Sequence, residues 1–154
     1  LNPLGDRQNG KFMQLSQRFR KNERLCSRYL IEKLFKEGSS FLVFPIRVTY
    51  FQIEGREIAR LKSPLQVMFS VSKKRFKKSV QRNRIKRLMR ECWRINKSPL
   101  TEKINKHEKH IIISLVFIGE SIPDFALLNT KIISIIKRLN HLIIGNNTHL
   151  PNEK

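Results

Sequence analysis

Between Lys73 and Arg94 the chain carries eleven lysines and arginines and a single acid, Glu91. That stretch holds a net charge of +10, half of the +20 carried by all 154 residues. Clustered cations bind phosphate without making or breaking a covalent bond. Arginine grips phosphate oxygens with a planar fork and stacks on bases, while lysine supplies point charge. Asn83, inside the run, offers a donor and an acceptor to a base edge or a ribose hydroxyl. A charged run is often only a solvated helix face. A run of nearly one sign is different, because neighbouring cations repel and destabilise the helix unless an anion lies against them.

Nothing comparable supports chemistry by the protein's own side chains. The 12 carboxylates are scattered and mostly flanked by Lys or Arg, so no cluster suggests a metal-dependent nuclease. No serine, histidine and aspartate arrangement suggests an activated nucleophile. His107 and His110 sit between lysines with no third ligand in view, so no intrinsic metal is expected. Cys26 and Cys92 fit neither a disulfide framework nor a zinc site. They read as buried free thiols of a reducing, cytoplasmic compartment. The most apolar run, from Ile111 to Gly119, is far shorter than the roughly 18–20 residues of a membrane span. Residues 1–20 hold no signal-peptide apolar region. The expected partner is therefore a polyanion, nucleic acid before an anionic membrane.

The cations need a scaffold, and the hydropathy pattern supplies one. A chain of 154 residues with 40% hydrophobic content can bury one sizeable core. Ser27 is a helix N-cap before Leu30, Ile31, Leu34 and Phe35, which recur at helical spacing until Gly38. From Phe41 the period changes to two: Ile46, Val48 and Tyr50 share one strand face, and Arg47, Thr49 and Phe51 the other. Glu54 to Pro64 reads as a loop, followed by a half-buried strand in which Leu65, Val67, Phe69 and Val71 alternate with Gln66, Met68 and Ser70. A basic helix over about 79–95 ends at Ser98-Pro99. Ile111 to Ile118 is a strand buried on both faces. A last helix starts at Asp124 and stops at Gly145. Its wide apolar face, with Leu128, Ile132, Ile135, Ile136, Leu139, Leu142 and Ile143, suits a core better than a bilayer. The order α-β-β-β-α-β-α predicts an α+β sandwich, one sheet with helices folded over it. It occupies residues 21–145, between a flexible basic leader at 1–20 and a tail at 146–154.

Rotation by 100° per residue puts Ile85, Leu88, Met89, Cys92 and Ile95 on one arc of the basic helix. Arg82, Asn83, Lys86, Arg87, Arg90 and Arg94 are assigned to the other, with Glu91 one turn after Arg87 to hold its guanidinium. The segment V-S-K-K-R-F-K-K-S-V-Q-R-N-R-I-K-R-L-M-R-E at 71–91 resembles the signature of the bacterial ribonuclease P protein component. Its core, R-N-R-x-K-R-x-x-R-E, is intact as Arg82, Asn83, Arg84, Lys86, Arg87, Arg90 and Glu91. Arg24 to Gly38 is similar to the family's first helix, so the likeness extends over roughly residues 20–144.

The resemblance implies an α/β sandwich on one four-stranded mixed sheet, with a left-handed β-α-β crossover through the basic helix, as in the second domain of a ribosomal protein. Sequence physics favours the opposite hand. The resemblance also implies a non-catalytic subunit of a ribonucleoprotein. Such a subunit, monomeric off its RNA, binds a large catalytic RNA and helps it remove the 5′ leader of precursor tRNA. Magnesium bound mainly by that RNA carries out the hydrolysis, and neither DNA nor membrane is implied as a partner. RNA contact is implied for Lys73, Lys74, Arg75, Arg82, Asn83, Arg84, Lys86, Arg87, Arg90 and Arg94. Leader bases are implied in a cleft between the first helix and the sheet, lined by Ile31, Phe35 and Tyr50, with Tyr29 a further aromatic nearby. Ile31 stands where family members often carry Phe. Plain core positions would suit Ile31 and Phe35 equally well. Two other readings share the charge. A general RNA-binding protein of ribosomal or RNA-chaperone type gives no reason to keep Arg82-Asn83-Arg84, Lys86-Arg87 and Arg90-Glu91 together. An independent nuclease lacks clustered carboxylates.

Overall fold

The period-two stretches become strands in the computed structural model, which describes residues 18–145. Ser39–Val43 (β1), Ile46–Gln52 (β2), Leu65–Val71 (β3) and Ile111–Phe117 (β4) form one mixed sheet in the order β1-β2-β4-β3. β1 and β2 make a hairpin turning at Phe44-Pro45; β2 runs antiparallel to β4, and β3 parallel to it. Parallel neighbours cannot be joined by a tight turn, so the chain leaves the sheet between β3 and β4 and crosses over as helix. That crossover holds the basic helix, Ser79–Asn96, followed at once by a shorter helix, Ser98–Lys106. In chain order the helices are Arg28–Glu37 (α1), Ser79–Asn96 (α2), Ser98–Lys106 (α3) and Phe125–Ile144 (α4).

Register sorts the side chains between two cores. Rows such as Phe41, Val48, Leu115 and Phe69 lie on the face covered by the main core, to which α2, α3 and α4 contribute. Ser40, Thr49, Ser114 and Met68 make the neighbouring row on the opposite face. On that side Leu25, Leu30, Leu34, Ile53 and Ile112 form a smaller core under α1. The central strand β4 is buried on both faces, as its unbroken isoleucines predict.

Local chemistry sets the helix ends. The Ser27 hydroxyl accepts from the Leu30 N–H at 3.4 Å, and the Asp124 carboxylate accepts from the Leu127 N–H at 2.8 Å. Gly38 caps α1 with extended backbone, and only glycine fits there, because a Cβ would collide with the Leu34 carbonyl and stand 3.0 Å from that of Tyr50. In α4, Leu128, Ile132, Ile135 and Leu139 are fully buried, so its apolar face is core. Among the described residues no helix is long and apolar enough to cross a membrane.

Several expectations are corrected. The stop at Ser98-Pro99 is brief: Pro99 sits in the first turn of α3, where its missing N–H has no helical partner to lose, and Leu100 and Ile104 anchor that helix in the core. The Glu54 to Pro64 loop contains a 3-10 turn, Gly55–Arg60. Gln66 is buried, its amide donating to the carbonyls of Asn22 at 2.8 Å and Arg24 at 3.4 Å. Cys26 is exposed; Cys92 is buried, and burial pushes its thiol up to about 11. The end of the basic leader, Arg18 to Arg20, is built into the fold, with the Phe19 ring edge-on to Phe69 at 5.7 Å. The rest of that leader and the tail at 146–154 lie outside the described residues.

Candidate nucleic-acid interface

α2 is positioned by what it buries. Ile85, Met89, Cys92 and Trp93 are buried where the helix packs on β3 and α4. The far side carries Asn83, Arg84 and Arg87 exposed and Lys86 and Arg90 partly so. Before it, the loop from Lys73 to Lys78 exposes Lys73, Lys74, Arg75, Lys77 and Lys78. These charges crowd the N-terminal end of α2, where the backbone dipole is already positive. Among the described residues, none of these loop and helix cations has a carboxylate within ion-pair distance; Arg94 alone in the run does. Such a surface repels itself in the free protein and is relieved when an anion covers it.

Three of the predicted contact residues are engaged within the protein. Arg82 precedes Ile85 by three residues and so leans toward the core side of α2, not onto the outer ridge. Its Nη1 donates to the carbonyls of Phe76 at 2.7 Å and Lys77 at 2.9 Å, bracing the loop. Arg75 does likewise to the Ile118 carbonyl just beyond β4. Glu91 holds Arg94 rather than Arg87, through a two-pronged contact of 3.0 and 2.6 Å. An acid N-terminal to its base is the better orientation on a helix, which decides between the two arginines. Bonding to Arg94 holds the Glu91 carboxyl below its ordinary value and raises Arg94 in turn. The unpaired outer ridge is therefore Asn83, Arg84, Lys86, Arg87 and Arg90. Burial, with Arg24 and Arg87 close by, pushes the Arg90 guanidinium below its ordinary value.

A strap at 18–25 was not foreseen. It runs past the outer edge of β3, where the Leu25 N–H donates to the Val67 carbonyl at 3.0 Å. Lys97, one turn beyond Trp93, has a side chain only 2% exposed and donates to the Glu23 carboxylate and the Arg18 carbonyl. The partners are too far apart in sequence for any local pattern to pair them. Helical phase was the available signal, since Lys97 falls on the same side of α2 as buried Trp93.

The second predicted site lies at α1. Its Tyr29–Lys33 flank is tied to the 3-10 turn: Glu57 meets Lys33 at 2.6 Å, accepts from the Tyr29 hydroxyl at 2.8 Å, and Arg60 covers the Tyr29 ring at 4.2 Å. The opposite flank carries Ile31, packed on the smaller core, and Phe35, which is 53% exposed and so is not a core residue. That flank borders sheet rows that α1 leaves open, with Arg47 exposed and Val116 and Ser70 partly so. Tyr50 does not join them. Its register partner Ile113 places it on the other face, where its ring lies 6.0 Å from Phe41. Strand alternation decides this, because Tyr50 must follow Ile46 and Val48 into the main core. Tyr29 is likewise engaged by Glu57. Among the described residues no three His, Cys, Asp or Glu side chains converge as a metal site.

A mixed sheet whose crossover helix displays cations without a carboxylate partner among the described residues, beside an exposed aromatic on α1, is an arrangement suited to a polyanion. Comparison with known proteins narrows that reading. The family model described as Ribonuclease P matches residues 19–140. The ribonuclease P protein component of Porphyromonas gingivalis is 38% identical over 105 residues, covering 68% of this chain and 74% of that protein. That of Chlorobium phaeobacteroides is 34% identical over 131 residues, covering 80% and 86%. Among solved structures, the RNase P protein from Thermotoga maritima superposes with a TM-score of 0.57 at 25% identity, covering 75% of this chain and 96% of that one. The chain belongs to the ribonuclease P protein family.

Proposed function

We propose that this protein is the protein subunit of a ribonuclease P ribonucleoprotein, binding a catalytic RNA and the 5′ leader of precursor tRNA. The observation that carries the reading is the intact Arg82 to Glu91 signature, whose Asn83, Arg84, Lys86, Arg87 and Arg90 stand on the solvent side of α2 with no carboxylate partner among the described residues. In this role the helix and the Lys73 to Lys78 loop lie along RNA phosphates. The leader follows the open sheet rows beside Phe35, where an unstacked base meets the ring. Hydrolysis belongs to the RNA and its bound magnesium, so the protein contributes binding, alignment and charge neutralisation. It works in the cytoplasm as a monomer until it meets its RNA, and is inactive alone.

Reconstitution tests this directly. With a bacterial ribonuclease P RNA at low magnesium, the protein should restore accurate 5′ cleavage of precursor tRNA, and raising magnesium should shrink its effect. Protein without RNA should leave the precursor uncut. A general RNA chaperone would bind the RNA but give no cleavage specific to the leader junction, and that result would reject the reading.

A further inference from the structure

Two leucines seat α1 on the sheet. Leu30 and Leu34 are its buried residues, four apart and so on one line along the helix. Apolar contact is non-directional, so it sets the height of a helix above a sheet better than its roll. Tyr29 and Lys33 lie about 100° to one side of the leucine line, and Ile31 and Phe35 about 100° to the other. The first flank is latched. The Glu57 carboxylate meets the Lys33 ammonium at 2.6 Å and accepts from the Tyr29 hydroxyl at 2.8 Å, and the side chains of Lys33 and Glu57 are only 22% and 25% exposed. Arg60 adds a third tie from the same turn, 4.2 Å from the Tyr29 ring centroid. The turn itself is fixed. Gly55 opens it at φ 66°, in the left-handed region that glycine favours, and Ile58 and Leu61 pack on the smaller core. On the other flank Ile31 is half-buried and Phe35 exposed.

From this geometry we propose that Glu57 is a positioning residue of the leader cleft: it fixes the roll of α1 and so the place of Phe35 beside the open sheet rows. The role rests on the leader-binding reading given above and deepens it. Glu57 stands on the flank away from Phe35 and acts through the helix. A roll of about 10° carries a ring about 6 Å from the helix axis through about 1 Å. A gap of about 0.5–1 Å forfeits about a quarter to a half of a van der Waals contact. Such a roll weakens the stacking of a leader base on Phe35 while the leucines stay buried and the fold intact. Ionic and hydroxyl bonds have the direction that apolar contact lacks, which is why the latch, and not the core, sets the ring.

Two arms test the role on the full chain. In the first, precursor and mature tRNA are titrated against the ribonucleoprotein assembled on a bacterial ribonuclease P RNA. The ratio of the two affinities isolates the leader. Glu57→Gln keeps an acceptor for Tyr29 but loses the ion pair, and should lower that ratio about threefold. Removing an acid strengthens attraction for every polyanion, so a fall in the ratio cannot come from charge. Phe35→Ala should lower the ratio further. Phe35→Ala with Glu57→Gln should be no worse than Phe35→Ala alone, because the acid acts through the ring. Ile104→Val, in the core under α3, should lower stability and leave the ratio unchanged. In the second arm the free protein carries fluorine-labelled phenylalanine, and the Phe35 signal is identified by its loss in Phe35→Leu. Glu57→Gln should shift that signal and leave those of buried Phe76 and Phe117 in place. A Glu57→Gln protein with the wild-type ratio, or a double variant whose loss is the product of the single losses, overturns the positioning role and leaves the leader reading intact. An Ile104→Val protein whose ratio falls as far as that of Glu57→Gln overturns it too, since any loss of stability would then suffice. A Phe35→Ala protein with the wild-type ratio removes the leader reading, and the fluorine shift then decides whether Glu57 places Phe35. An unmoved Phe35 signal overturns the coupling of latch and ring in either case.

Discussion

Replacing Lys97 by Met isolates what holds the strap to the body of the protein. The Lys97 side chain is 2% exposed and that of Glu23 15%. Methionine keeps the aliphatic volume, so the substitution removes the ammonium and little else. Stranding one partner of a buried ion pair costs about 3–5 kcal/mol. Glu23 retains some exposure and the Arg20 N–H, so the expected loss here is about 2–3 kcal/mol. For a chain of this size that is a fall in Tm of about 4–12 °C. Removing both charges, in Lys97→Met with Glu23→Leu, should recover most of it, because an apolar pair can replace a buried ion pair at little cost. Recovery should stop short by about 1–2 kcal/mol for two lost hydrogen bonds, the Arg20 N–H to Glu23 and the Lys97 ammonium to the Arg18 carbonyl. Urea unfolding followed by fluorescence suits the measurement. Trp93 is the chain's single tryptophan, packed 6.5 Å from Phe69, which in turn touches Phe19 of the strap. A single variant within 0.5 kcal/mol of wild type, or a double variant no better than the single one, would refute this account of the strap.

Arg82→Ala should lower stability by about 1–2 kcal/mol through the two loop carbonyls it strands, whereas Arg87→Ala should leave the melting curve within about 0.5 kcal/mol of wild type. Equal effects would return Arg82 to the outer ridge. Phe35→Ala should weaken binding of precursor tRNA to the assembled ribonucleoprotein by about 1–3 kcal/mol while sparing mature tRNA, and equal losses on both would take Phe35 out of the cleft. The Ser114 hydroxyl is buried with no hydrogen-bond partner among the described residues, so Ser114→Ala should be neutral or stabilising by up to about 1 kcal/mol in chemical denaturation. Bonds from Lys33 and then Tyr29 hold Glu57 below its ordinary value, so its contribution is present above about pH 4.3 and is lost as pH falls through its lowered value. The stability gap between wild type and Glu57→Gln should therefore narrow from pH 7 to pH 3, and a constant gap would contradict the ion pair.

Local signals were read correctly where period and burial agree. The unbroken apolar run of β4, the wide apolar face of α4 and the buried Ile85, Met89 and Cys92 of α2 each follow from neighbours a few residues away. α3 was hidden because Ser-Pro marks a helix start as readily as a helix end, and here it does both within three residues. Tyr50 faces the main core because the alternation of its own strand fixes its side, whatever an aromatic there could stack on. The strap was beyond reach, since its contacts join residues 18–25 to β3 and to the end of α2. No periodicity reports a lysine that bonds an acid on another element.

Charge counting measures the field of the interface but not the number of its contacts. Arg75 and Arg82 bond neutral carbonyls, so they keep their full charge while their donors are occupied within the fold. Arg94 is different, because Glu91 cancels its charge locally. The field of the Lys73 to Arg94 run therefore stays near its formal +10, while the forks free to grip phosphate narrow to Arg84, Arg87 and Arg90. The bracing arginines are not wasted on structure. They stiffen the loop and helix from which the free cations project, so less freedom is lost when RNA is bound. The same economy governs the acids nearby. Glu23, Glu57 and Glu91 are each bonded to a specific base outside the ridge's five residues, Lys97, Lys33 and Arg94, which leaves the ridge's charge open to the partner.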